Sequence, residues 1–98
     1  MDQPECGEVL IDKVRIKTFL LTLHRANLII AVAPAGFVMC GYLDIAVAEK
    51  MGDAACIVSG VKTVEELLHK PVVKLTLQAQ QRGISIGMSG QEALQRML

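Results

Sequence analysis

Aromatic side chains are almost missing from this chain. One tyrosine, two phenylalanines and no tryptophan make up 3% of 98 residues. Base-stacking platforms therefore have little to be built from. No run or stripe of Lys and Arg is present, and the formal net charge is +0, so nucleic acid is not an expected partner. The three cysteines, Cys6, Cys40 and Cys56, form no C-x-x-C pair, which removes the usual zinc patterns, and no metal is expected. Long hydrophobic runs are also lacking. The longest uncharged apolar stretch, "LIIAVAPAGFVMCGYL" from Leu28 to Leu43, is shorter than the ~20 residues of a spanning helix. Pro34 and Gly36 break it, so a membrane is not expected. The N-terminus "MDQPECGE" is acidic and polar, unlike a secretory leader. A cytoplasmic protein with reduced thiols is the expectation.

What the chain has in abundance is aliphatic residues. It is 52% hydrophobic and only 20% charged, with a mean hydropathy of +0.43. A domain of this size buries only about 60–65% of the surface of its unfolded chain. The surplus apolar surface must meet a membrane, a ligand or another subunit. With the membrane set aside, a homo-oligomer is expected.

The length suits a single domain over 1–98, with residues 1–7 expected to be flexible. The first half reads as strands. "GEVLIDKVRIKTFLLTL" is interrupted by a turn at Asp12 and Lys13. Beyond it Val14, Ile16, Thr18 and Leu20 fall on one face. Arg15 and Lys17 begin the other face, which Phe19, Leu21 and Leu23 continue as apolar. "HRAN", from His24 to Asn27, is a polar turn. "LIIAVA" and then "FVMCGYL" follow, joined by "PAG". Short connections of this kind predict an antiparallel meander. Its middle strands are apolar on both faces, so helices should cover one face and a second subunit the other.

The second half reads as helices with short strands between them. Asp44 is placed to cap "IAVAEKM", and Gly52 lies just past its end. "AACIVSG" is a short buried strand. Thr63 with Glu66, and Ser89 with Glu92, have capping-box spacing. Between them "VVKLTLQAQQR" has a β-branched start that allows a strand, but its Gln-rich end and Gly83 favour a helix with Val72, Leu75 and Ala79 on one face. Ala93, Leu94 and Met97 form the buried side of the last helix. The fold class is α+β: an N-terminal antiparallel β-meander with C-terminal helices and one or two short extra strands packed on it.

Three strings, "GFVMCGYLD", "GDAACIVSGVKTVEELL" and "GMSGQEALQRM", resemble in this order a bacterial and archaeal family, domain of unknown function 1805. The resemblance extends over nearly the whole chain apart from its first few residues. It implies an α+β domain whose N-terminal sheet region mediates tetramerisation, and it implies no activity, substrate or cofactor. Phe37 departs from the family pattern, which has Tyr there, so no role for a phenol hydroxyl carries over.

Candidate chemistry has two readings throughout. Cys40 is a weak candidate nucleophile, needing a nearby cation or helix N-terminus to lower its pKa. Its other reading, as a small hydrophobe on a buried strand, is the more ordinary one for a free cysteine. Asp44 is a general base or simply a helix cap. "SGVKT" and "GMSGQ" each put small residues and a hydroxyl at a helix start, where free N–H groups attract anions. Lys62, Thr63, Gly87, Ser89 and Gly90 are therefore candidate ligand residues for a small anion, in a pocket that on this reading also holds Cys40 and Asp44. The bland reading of the same residues is two ordinary capped helices.

Overall fold

In the computed structural model, residues 5–98 are described. Residues 1–4, over which part of the expected flexible start falls, lie outside the described residues. Glu5 to Gly7, the rest of that stretch, belong to the first strand.

One six-stranded sheet organises the molecule, with its strands in sequence order. The strands are β1 (Glu5–Ile11), β2 (Val14–Thr22), β3 (Asn27–Ala33), β4 (Gly36–Met39), β5 (Ala55–Ile57) and β6 (Lys74–Leu75). The helices are α1 (Ile45–Met51), α2 (Val64–His69), α3 (Leu77–Gln81) and α4 (Gly90–Gln95). The fold is α+β, and β1 to β4 form the expected antiparallel meander.

The meander is held by turn chemistry at its ends. Asp12 and Lys13 both take positive φ, 50° and 69°. A two-residue hairpin turn needs that backbone to match the right-handed twist of its strands. At the next connection the Leu23 N–H donates to the Ala26 carbonyl at 3.0 Å.

The register sorts the side chains into two faces. Ile16, Ile29, Ala31 and Val38 lie on one face, all fully buried. Helices α2 and α4 pack together over this face, against β2 and β3, and β1 and β4, respectively. Leu67, Ala93, Leu94 and Met97 complete the core, the last three as the sequence predicts. On the other face Phe19 pairs with Ile30 and Val32 with Phe37. Phe19 and Val32 remain 37% and 38% exposed, and Leu10 at the rim 70%.

The two short strands extend the sheet at its β4 edge. β5 runs parallel to β4, joined to it through α1, and β6 returns antiparallel. The parallel pair departs from the all-antiparallel meander, because a helix-length connection allows a crossover that a hairpin does not.

The expected helix over "VVKLTLQAQQR" is corrected. Residues 74–75 are strand, and a helix starts only at Leu77. Thr76 is the reason. Its hydroxyl accepts from the Ala55 N–H (3.1 Å) and the Ala79 N–H (3.3 Å), and donates to the Asp53 carbonyl (2.6 Å). It caps α3 while tying the chain to β5. The strand expected through "FVMCGYL" is also shorter. It ends at Met39, and the Leu43 N–H turns back to the Cys40 carbonyl at 3.2 Å.

Among the described residues, no helix is long and apolar enough to cross a membrane.

Candidate functional site

The parallel pair brings two loops to the same end of the sheet. Cys40 to Asp44 follow β4, and Val58 to Thr63 follow β5. Most candidate residues from the sequence lie on these two loops.

Cys40 is 3% exposed. Its Sγ accepts the Ile29 backbone N–H at 3.3 Å, and its own N–H donates to the Ile29 carbonyl at 3.0 Å. The thiol thus completes the ladder where β4 ends. Among the described residues no histidine hydrogen-bonds to it. Cys56 is fully buried, and burial pushes its thiol up to about 12. A thiol in that state is not a nucleophile at neutral pH.

Asp44 is the N-cap of α1. Its Oδ1 accepts the Ala46 N–H at 3.0 Å, and Gly52 closes the other end with φ 80°. Asp44 also lines a cavity of about 350 Å³ with Gly41, Ser59 and Lys74. Cys40 lines a different cavity of about 250 Å³ with Asn27, Gly41, Tyr42 and Gly60. Gly41 is common to both, but the two side chains share neither cavity.

Lys62 and Thr63 lie at the start of α2. The Thr63 Oγ1 accepts the Glu66 N–H at 3.1 Å, as the spacing predicts. The reciprocal half of that expected box is displaced by one residue. The Glu66 carboxylate takes the Lys62 N–H at 2.8 Å rather than that of Thr63. That bond, helped by the Lys70 charge 3.5 Å away, holds the Glu66 carboxyl below the usual carboxylate range. Lys70 Nζ also donates to the Gly60 carbonyl (2.7 Å), and Asn27 Nδ2 to the Lys62 carbonyl (2.8 Å). Three side chains, Asn27 of β3, Glu66 of α2 and Lys70 just past the end of α2, thus fix the loop over residues 60–62.

Gly87, Ser89 and Gly90 lie elsewhere. The Gly87 N–H donates to the Val72 carbonyl, and Ser89 bridges to Pro71. Ser89 and Glu92 form the full reciprocal box at the start of α4. A Cβ at Gly90 would run into the Leu67 carbonyl, so this glycine lets α4 close against α2. Gly87, Ser89 and Gly90 do not line the cavities that Cys40, Asp44 and Lys62 line.

Arg25, Asn27, Tyr42, Ser59 and Lys74 also line cavities at this end of the sheet, and none of them is among the candidates from the sequence. Asn27 carried one available signal: an amide opening an apolar strand needs a partner if it is half-buried. Among the described residues, no group of three or more His, Cys, Asp or Glu is gathered to hold a metal.

The family described as domain of unknown function (DUF1805) matches residues 39–97, which include both loops and all four helices. The chain belongs to this family. A relative described as uncharacterized protein YunC, from Bacillus subtilis (strain 168), is 32% identical over 94 residues. The match covers 92% of this chain and 93% of the relative. A crystal structure of a protein of unknown function, TA1206 from Thermoplasma acidophilum, superposes with a TM-score of 0.93. It is 29% identical, and the match covers 98% of this chain and 94% of that one. The family match begins at the end of β4, so the meander that carries the open sheet face lies ahead of it.

Proposed function

We propose that the protein is a cytoplasmic homo-oligomeric domain assembled through the outer face of its N-terminal sheet. The carrying observation is the asymmetry of the two faces. Ile16, Ile29, Ala31 and Val38 are fully buried under helices, whereas Phe19, Val32 and Leu10 stand in solvent on the other side. A second copy is the occupant this face suits. Glu8 and Lys17 sit opposite one another on it, with Arg15 adjacent. A two-fold axis lets such a mixed-charge edge meet its own copy with opposite signs paired. The assembled form expected from the resemblance is a tetramer, a dimer being the least that covers the face. A cytoplasmic location is supported by three free cysteines, two of them buried without a disulfide.

Light scattering after gel filtration tests the reading. A tetramer or dimer is expected for the native chain. Val32→Lys, which puts an unpaired charge on the face, is expected to shift the species toward monomer without unfolding it. A native chain that is monomeric at micromolar concentration overturns the proposal.

A further inference from the structure

The two cavities beside Asn27 make one groove. The first, about 250 Å³, and the second, about 320 Å³, share Ala26, Asn27, Gly60 and Val61. The groove lies between the turn joining β2 to β3 and the loop that follows β5. Arg25 and Lys62 line one end, and Tyr42 lines the other. Val61 supplies apolar wall between them. No carboxylate lines it anywhere along its length. The Glu66 carboxylate, beside Lys62, is already engaged by the Lys62 backbone N–H and by Lys70.

We propose that this groove binds a small organic anion, with a carboxylate or phosphate head at Arg25 and Lys62 and an apolar body reaching toward Tyr42. A guanidinium fork and an ammonium together suit a planar or tetrahedral oxyanion. The half-exposed phenol ring offers a flat apolar surface with a polar tip. Asn27 spends its Nδ2 on the Lys62 carbonyl, which leaves its Oδ1 as an acceptor for the ligand. A hydroxyl or amine part-way along the ligand would meet it. The wall is fixed before binding, because Asn27, Glu66 and Lys70 all hold the loop over residues 60–62. Pre-ordering of this kind reduces the entropy lost on binding.

This site is independent of the assembly face. Asn27 shares its side of β3 with Ile29 and Ala31, the helix-covered side.

The test is a titration of the native protein, followed by backbone amide NMR shifts. The probes are phenyl phosphate and benzoate, with phenol and inorganic phosphate as halves of the first. Saturable shifts at Asn27, Tyr42 and Gly60 are expected with phenyl phosphate or benzoate, the anion that binds better reporting the head group. Phenol should move them less. The double variant Arg25→Glu with Lys62→Glu is expected to bind about tenfold more weakly or worse. Both side chains are exposed, so its melting temperature should stay near that of the native chain. Arg25→Gln, which keeps the shape and removes one charge, should fall between. Unsaturable shifts with both anions, shifts centred away from this loop, or equal binding by the double variant would each overturn the proposal. Gel filtration of the same samples reports assembly separately, so the failure of one reading is not the failure of the other.

Discussion

The Glu66 carboxylate accepts the backbone N–H of Lys62 at 2.8 Å, four residues upstream. One side chain at the first turn of α2 thereby sets the position of the loop that walls the groove. Because the bond favours the ionised form, the Glu66 carboxyl lies below its usual range. A lowered folded-state value stabilises the fold fully above the unfolded value, about 4.3. That contribution is lost as pH falls through the lower folded value. Exchange of the Lys62 amide, relative to core amides, is therefore expected to rise only as pH falls below the ordinary carboxylate range. Glu66→Ala should show raised Lys62 exchange, relative to the same core amides, already at neutral pH. Native-state hydrogen exchange read by NMR checks both, and equal protection of Lys62 in the variant would contradict them.

Thr76 is expected to be the most costly hydroxyl to remove. Thr76→Val keeps the shape but strips the bonds to the Ala55 and Ala79 N–H groups and the Asp53 carbonyl. Leaving buried groups unpaired costs about 1–3 kcal/mol. Urea unfolding should show a lower midpoint with an unchanged slope. Thr76→Ser should recover most of the loss, since it restores the hydroxyl.

At Gly90 the expected effect is steric. The added methyl of Gly90→Ala has the Leu67 carbonyl in its way, so α2 and α4 must separate. Overpacking of this sort costs about 1–3 kcal/mol. Ser89→Ala removes half a capping box one residue away, for about 1 kcal/mol. If Gly90→Ala proved the milder of the two in urea, the close approach would not be limiting.

The three thiols should separate cleanly. Cys6 is exposed on the edge strand, whereas Cys40 and Cys56 are buried. Cys6 pairs with Phe19 on the proposed assembly face, so a chromogenic disulfide should consume it faster in Val32→Lys than in the assembled native chain. The other two should react only after denaturation. Rapid native reaction at Cys40 would revive the nucleophile reading that its place on the β4 ladder argues against.

Legibility in the sequence followed the range of the interactions. The shared face of Val14, Ile16, Thr18 and Leu20 was readable because alternation has a period of two, whereas Ile29, on a strand apolar on both faces, declared no side. The caps at Asp44, Thr63 and Ser89 were readable because a cap bonds residues two or three positions away. Thr76 was not readable. Its hydroxyl bonds Asp53 and Ala55, more than twenty residues distant, and this overrides the helical spacing of Val72, Leu75 and Ala79. The gathering of candidates was not readable either. Lys62 and Gly90 looked alike as small-residue helix starts, yet one lines a groove and the other is a packing contact.

The sequence by itself determined the class of fold, the meander, its doubly apolar strands and the ends of three helices, because turn dihedrals, caps and alternation are set by neighbours. Only the tertiary structure decided that β5 runs parallel to β4 and that Arg25 and Asn27 lie beside Lys62, with Tyr42 at the far end of the groove. It also separated Cys40 and Asp44 into different cavities. Those outcomes depend on which distant segments share a sheet edge, and no local pattern encodes that choice.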